Sequence, residues 1–288
     1  MVQLATDDIT TQEVFDWQGI HLLHFSGSTC SKKIRMFLDY KHVDWVSHPV
    51  NLVKKENNSD WFMGINPRGL VPVLVHDGQV HIESNDILDY LERLYPDPPL
   101  MPTANSDEIA GLLETEDDLH EDLRNLTMRF TAPTRLMQRS QEQLQQYESA
   151  GTGKVGGVAD SHKAHELAYW RNFSANGGIT DAQVTESASR FRQELDKLES
   201  RLESHNYLLG DAVSIVDISW SVNINRILLA GYPLQRLHPR LWAWRQRMLQ
   251  TPAFAKEAKA PLPQLLFAKL IRLRDKLGGK TLEDIAGF

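Results

Sequence analysis

The chain has 288 residues, 41% of them hydrophobic, a formal net charge of −7 and a single cysteine. That is enough apolar material for one large globular domain or two ordinary ones. One cysteine excludes an internal disulfide and any multi-cysteine zinc or iron–sulfur site, and the acidic balance gives no overall attraction to nucleic-acid phosphate.

No window approaches the roughly eighteen apolar residues of a membrane span. The opening MVQLATDDITTQEVFDWQG has neither the basic start nor the apolar core of a signal peptide. The expectation is a cytoplasmic protein in a reducing compartment, with no membrane and no nucleic acid among its partners.

Residues 1–18 read as a polar leader. GIHLLHF (19–25) is a short apolar run closed by SGS, the pattern of a buried strand and a turn. From Cys30 onward, Ile34, Phe37 and Leu38 fall at spacings of three and four, with Lys32, Lys33 and Arg35 between them. That spacing predicts an amphipathic helix with Ser28 or Thr29 as N-cap. VDWVSHPVNL (43–52) alternates as a second strand, and NNSDWFMGINPRG is a polar connection holding a short helix. LVPVLVHDGQVHI (70–82) predicts two strands about the Asp77-Gly78 turn. Pro72 lies inside the first of them, where it marks an edge, a bulge or a cis peptide. ESNDILDYLERLYP (83–96) returns to helical spacing and stops at Pro96.

A proline-rich link spans Pro98 to Ser106, and beyond it strand signals almost vanish. Residues 107–147 are charged and helical in pattern, 149–161 form a glycine-rich break, and 181–204 are again amphipathic. Ser214 and Asp217 have capping-box spacing before an apolar helix. Residues 239–250 continue in helical pattern, and the tail carries one more amphipathic helix ending near Gly278. The expected division is an α/β domain over 19–98, an all-α domain over 106–259 and a helical tail over 260–288.

The run NPRGLVPVL followed by DGQVHIESNDILDYLE, with YLLGDAVSIVDI in the second half, resembles the glutathione S-transferase superfamily. The resemblance implies an α/β thioredoxin-like N-terminal domain that binds glutathione as cosubstrate, followed by an all-α C-terminal domain. It also implies a homodimer acting on a small hydrophobic electrophile. In that frame the Val71–Pro72 peptide is cis, and the Val71 backbone pairs with the cysteinyl unit of glutathione. Glu83 and Ser84 open a helix whose N-terminus favours the γ-glutamyl carboxylate, with Glu83 facing the ammonium group. Asn57 falls where some classes place a basic residue for the glycyl carboxylate, and Lys54 or Lys55 could add the charge it lacks.

The segment Ser28-Thr29-Cys30-Ser31 resembles the serine-rich, cysteine-containing signature of the zeta class, which includes maleylacetoacetate isomerases. It also resembles that of bacterial reductive dehalogenases. By position, Ser28 would donate to the glutathione thiolate and Cys30 would sit where those families use a cysteine. The flanking segments are closer to β-etherase-type transferases, and in their register Ser31 falls at the active serine. The reading leaves open which of Ser28, Cys30 and Ser31 faces the thiol.

Three functions follow from the resemblance: a transferase that activates the thiol for conjugation, isomerisation or reductive ether or halide cleavage; a cysteine-dependent thiol reductase or lyase; and a non-catalytic binding module. HKAHE (162–166) departs from zinc-protease spacing and is read as a solvated helix face, so no metal is expected. His120, Arg124 and Arg129 are candidates for the electrophile pocket, and Trp220 and Trp244 read as core. The tail would either cover the site or pack against the helical domain.

Overall fold

A computed structural model describes residues 2–288. It divides into two compact units: the chain up to Tyr95 together with Arg139–Ala175, and Pro96–Gln138 together with Asn176–Phe288.

The first unit is built from β1 (Val2–Gln3), β2 (Ile20–His24), α1 (Thr29–Tyr40), β3 (Val46–Pro49), α2 (Asp60–Met63), β4 (Val73–His76), β5 (Gln79–Ile82) and α3 (Ser84–Leu94). Its sheet has the order β1-β5-β4-β2-β3. β2 and β3 are parallel and joined through α1, while β4 and β5 are antiparallel. Leu22 and Leu23 point to opposite faces and both are fully buried, so the sheet is covered on two sides. At the Asp77-Gly78 turn both residues have positive φ, 47° and 78°, as a tight two-residue hairpin requires. Pro72 comes immediately before β4 rather than within it, and its peptide is cis, so this internal strand loses no ladder bond.

Two expectations need correction here. The leader is not outside the fold: β1 pairs with β5, Val2 opposite Ile82, and Leu4, Ile9 and Val14 join the core of Leu23, Val73 and Val75. Its apolar residues are divided among a two-residue strand (Val2), connecting segments (Leu4, Ile9) and a short 3-10 turn (Val14), so neither the strand nor the helix period shows in the sequence. Helix α1 is not amphipathic in the simple sense either. Lys32, Lys33 and Arg35 are buried along with Ile34, Phe37 and Leu38, and Lys33 Nζ donates to Asn85 Oδ1 at 3.2 Å.

After α3 come α4 (Ser106–Asp118), α5 (His120–Phe130) and α6 (Thr134–Met137), then α7 (Gln141–Ser149), the hairpin β6 (Lys154–Val155) and β7 (Val158–Ala159), and α8 (His162–Ala175). The segment from α7 to α8 groups with the first unit, not with the helical domain in which the sequence reading had placed it. Its glycine-rich break contains the hairpin turn, with Gly156 and Gly157 at φ 63° and 76°.

The second unit continues with α9 (Asp181–Arg201), α10 (Ile215–Ala230), α11 (Leu234–Leu237), α12 (Pro239–Met248), α13 (Pro252–Ala258), α14 (Leu262–Gly278) and α15 (Leu282–Ala286). α9 buries Val184, Ala188, Phe191, Leu195 and Leu198, one face at helical spacing. α10 is buried almost all round and packs on α4, α5, α13 and α14. The expected capping box forms. Ser214 N and Oγ donate to Asp217 Oδ2 at 2.8 and 2.6 Å, and Asp217 Oδ1 also accepts from Leu208 N and from Trp244 Nε1. Trp220 and Trp244 are core residues, and the tail packs through α14 on α5 and α10.

Candidate active site

Strand register brings the predicted residues to one end of the first sheet. Leu23 pairs with Val73 and Leu74 with His81. The turn that follows β2, the Val71–Pro72 pair before β4 and Glu83-Ser84 after β5 therefore emerge side by side.

Ser28 is the N-cap of α1. Its Oγ accepts the Ser31 amide at 3.2 Å, and its own N–H donates to Phe25 O at 3.1 Å. The hydroxyl proton of Ser28 meets no acceptor among the described residues, and the side chain is partly exposed. Ser31 is fully buried, and its Oγ accepts the Phe25 amide at 3.3 Å. It faces the turn's own backbone. Cys30 lies one residue into the helix and is half-buried.

A residue the sequence reading left among the helix's polar positions builds this turn. Arg35 Nη1 donates to Phe25 O at 3.2 Å and to His24 Nδ1 at 3.1 Å, and its Nη2 reaches Ser26 O at 3.4 Å. Because a guanidinium only donates, Nδ1 of His24 accepts, and its Nε2–H is left to donate to Ser47 Oγ at 2.8 Å.

The loop before β4 is shaped by asparagines. Asn66 is buried; its Nδ2 donates to Leu70 O at 2.8 Å and its Oδ1 accepts the Arg68 amide. Asn57 is buried as well, and its Nδ2 donates to Gly69 O at 2.7 Å and to Asn58 Oδ1 at 3.0 Å. Both amide protons are thus committed to the protein. Asn57 braces the loop through these bonds. Lys55 bonds Gln143 of α7, and burial followed by the nearby Arg139 holds its ammonium below the usual lysine range. Lys54 is exposed.

Val71 is partly buried, and its backbone N–H and C=O bond to no other described backbone group. Glu83 holds φ 66° and ψ 118°, a costly conformation for a residue with a Cβ. Strain of this kind, observed at the mouth of a helix, concentrates at ligand sites. Ser84 follows as the buried first residue of α3.

The charged partner of Glu83 is Arg68 of the NPRG run. Arg68 Nη1 donates to Glu83 Oε1 at 2.5 Å, while its Nε and Nη2 grip both oxygens of Asp160 at 2.9 and 2.8 Å. Tyr147 Oη donates to Arg68 O at 2.7 Å. Tyr147 and Asp160 both belong to the α7–α8 segment, and only the structure could place them here. HKAHE is not simply a solvated face. His165 is exposed, but Glu166 is buried and accepts from Trp170 Nε1, and burial holds His162 below the usual imidazole range. Among the described residues no group of histidine, cysteine and carboxylate side chains could hold a metal. Arg129, one of the pocket candidates, pairs with Asp181 at 3.4 Å.

Comparison with known proteins places both parts of the chain. Residues 22–99 match the family model "Glutathione S-transferase, N-terminal domain", and residues 181–247 match "Glutathione S-transferase, C-terminal domain". A zeta-class glutathione S-transferase of Euphorbia esula is 41% identical over 83 residues, 29% of this chain and 37% of that protein. A probable maleylacetoacetate isomerase of Caenorhabditis elegans is 44% identical over 75 residues, 26% of this chain and 35% of that protein. These matches thus span little more than a third of the relatives' length. Protein LigF of Sphingobium sp. is 26% identical over 210 residues, 69% of this chain and 77% of LigF. The crystal structure of LigF, described as a β-etherase, superposes with a TM-score of 0.69 over 83% of this chain and 98% of LigF. Two family models, in the expected order on an α/β unit and a helical unit, establish that the chain belongs to the glutathione S-transferase family.

Proposed function

We propose that the protein is a glutathione-dependent transferase in which Ser28 activates the thiol. The observation that carries this reading is the division of labour at Ser28. Its oxygen is occupied by the Ser31 amide while its proton meets no acceptor among the described residues, at the mouth of a twelve-residue helix. A thiolate placed there accepts the Ser28 O–H and lies in the field of the helix N-terminus, and both effects favour the anion and lower the thiol pKa. The open backbone groups of Val71 would pair with the cysteinyl unit. The N-terminus of α3 at Ser84 would take the γ-glutamyl carboxylate, and Glu83 would take its ammonium.

The activated sulfur attacks an electrophilic carbon of a small hydrophobic substrate. It forms a C–S bond while the leaving group departs with its electron pair, or it adds and is eliminated again in an isomerisation. The breadth of the likeness to LigF, described as a β-etherase, supports ether cleavage, and the shorter, higher-identity matches support isomerisation. A second reading is that the Cys30 thiolate attacks the sulfur of a glutathionyl conjugate: the S–S bond of a mixed disulfide forms as the bond from sulfur to the conjugated group breaks, and that group leaves with the electron pair and takes up a proton. The half-buried position of Cys30 beside Ser28 favours it. A cytoplasmic homodimer belongs to the same proposal.

The test is turnover of glutathione with haloarenes, β-aryl ethers, cis-enoic acids and mixed disulfides. Loss in Ser28→Ala with Cys30→Ala active supports hydroxyl activation, and the reverse pattern supports thiol chemistry. Absence of both turnover and retention on immobilised glutathione would leave a non-catalytic module.

A further inference from the structure

The large apolar side chains that solvent reaches are concentrated on one helix. On α14, Leu262, Leu266, Leu270, Leu273 and Leu277 are 74%, 60%, 64%, 61% and 84% exposed. At about 100° per residue all five fall within a sector of roughly 80°. The opposite sector holds Ala268, Ile271 and Asp275, the three residues that the helix buries. One face of α14 is therefore packed, and a second, made of leucine, runs along about 25 Å of outer surface. Scattered surface leucines are ordinary, but a continuous strip of them marks an interaction surface.

Charge selects the occupant. Lys269 and Lys276 border the strip on one side and Arg274 on the other, all exposed. The only acidic residue of the helix, Asp275, lies on the buried side and pairs with Arg274. A second copy seated on this strip would set lysine and arginine borders against the same borders, with no exposed acid on the helix to answer them. An anionic lipid surface meets the basic borders with phosphate while the leucines enter the acyl boundary and the lysine stems lie along it.

We propose that α14 is an interfacial helix that lays its leucine strip on a bilayer containing anionic lipid. It lies on the membrane rather than crossing it, since no helix among the described residues is long and apolar enough to span one. The proposal departs from the expectation that no membrane is among the partners; the outward facing of the leucines, which the sequence alone does not fix, is what favours it.

Flotation of the full chain with vesicles of phosphatidylcholine, alone or mixed with phosphatidylglycerol, tests the proposal. The protein should float with the mixed vesicles, and the bound fraction should fall as salt is raised. The double variant L270E/L273E should bind the mixed vesicles about tenfold or more weakly, because two leucines that would enter the bilayer become charges. K269E/K276E should lose the preference for anionic over neutral vesicles. All four side chains are exposed, so both variants should keep the parent melting temperature. Failure of the parent chain to float with either vesicle, or equal binding by L270E/L273E, overturns the proposal. So does a lipid-free dimer that L270E/L273E turns into a monomer, which would assign the strip to a second copy.

Discussion

A hydroxyl that caps a helix accepts through its oxygen and keeps its proton, and this separates Ser28 from Ser31. Ser28→Ala removes an N-cap and should cost about 1 kcal/mol of stability. It should also raise the pKa of the bound glutathione thiol, because the thiolate loses a donor, and lower turnover about 100-fold. Ser31→Ala leaves the Phe25 amide without its acceptor and should cost about 1–3 kcal/mol while leaving the thiol titration where it was. Thiolate ultraviolet absorbance of each glutathione complex, followed against pH, separates the two. A thiol pKa that moves in Ser31→Ala and not in Ser28→Ala would reverse the assignment. The sequence showed three neighbouring candidates; it could not show which hydroxyl points into its own turn, because that depends on the Phe25 amide and on Arg35 drawing the turn inward.

The segment from α7 to α8 lies outside both matched family regions, yet it holds the loop that precedes β4. Arg68 is shared between Asp160 of that segment and Glu83, with side-chain exposures of 15%, 14% and 42%. Asp160 is the partner that keeps Arg68 from resting wholly on the carboxylate proposed for the γ-glutamyl ammonium. Asp160→Asn should therefore raise KM for glutathione several-fold with kcat nearly unchanged. It should also cost about 1–3 kcal/mol and speed proteolytic cutting at the Gly156-Gly157 turn. A double-mutant cycle with Arg68→Gln checks that the loss belongs to the pair, and additive losses would show that it does not. None of this was legible beforehand. NPRG, Asp77-Gly78 and Ser214/Asp217 are local patterns whose partners lie a few residues away. The bond from Arg68 to Asp160 spans 92 residues and leaves no periodic trace.

At the scale of the molecule, the order of elements was legible because alternation and helical spacing report burial within each element. Membership of the two units was not, because it depends on which distant surfaces meet: the leader and the α7–α8 segment both join the first sheet's unit through isolated residues such as Val14 and Tyr147. The core of that unit also contains a residue with a clear pH signature. His81, on β5, is fully buried, stacks on Tyr90 with ring centroids 4.0 Å apart, and neither ring nitrogen has a hydrogen-bond partner among the described residues. Burial, assisted by His76, lowers its pKa from 6.5 to about 4. The folded state thus binds the proton more weakly than the unfolded chain. The stability tied to neutral His81 is fully present above pH 6.5 and is lost as pH falls toward about 4. Between pH 8 and pH 5 the loss amounts to about 2 kcal/mol. His162 and His238 are also lowered by burial and add to the same acid limb. His81→Phe keeps an aromatic ring against Tyr90 and removes the proton site, so the drop in urea midpoint from pH 8 to pH 5 should shrink by the part His81 supplies and leave the rest. An unchanged drop in His81→Phe would place the acid sensitivity outside this core.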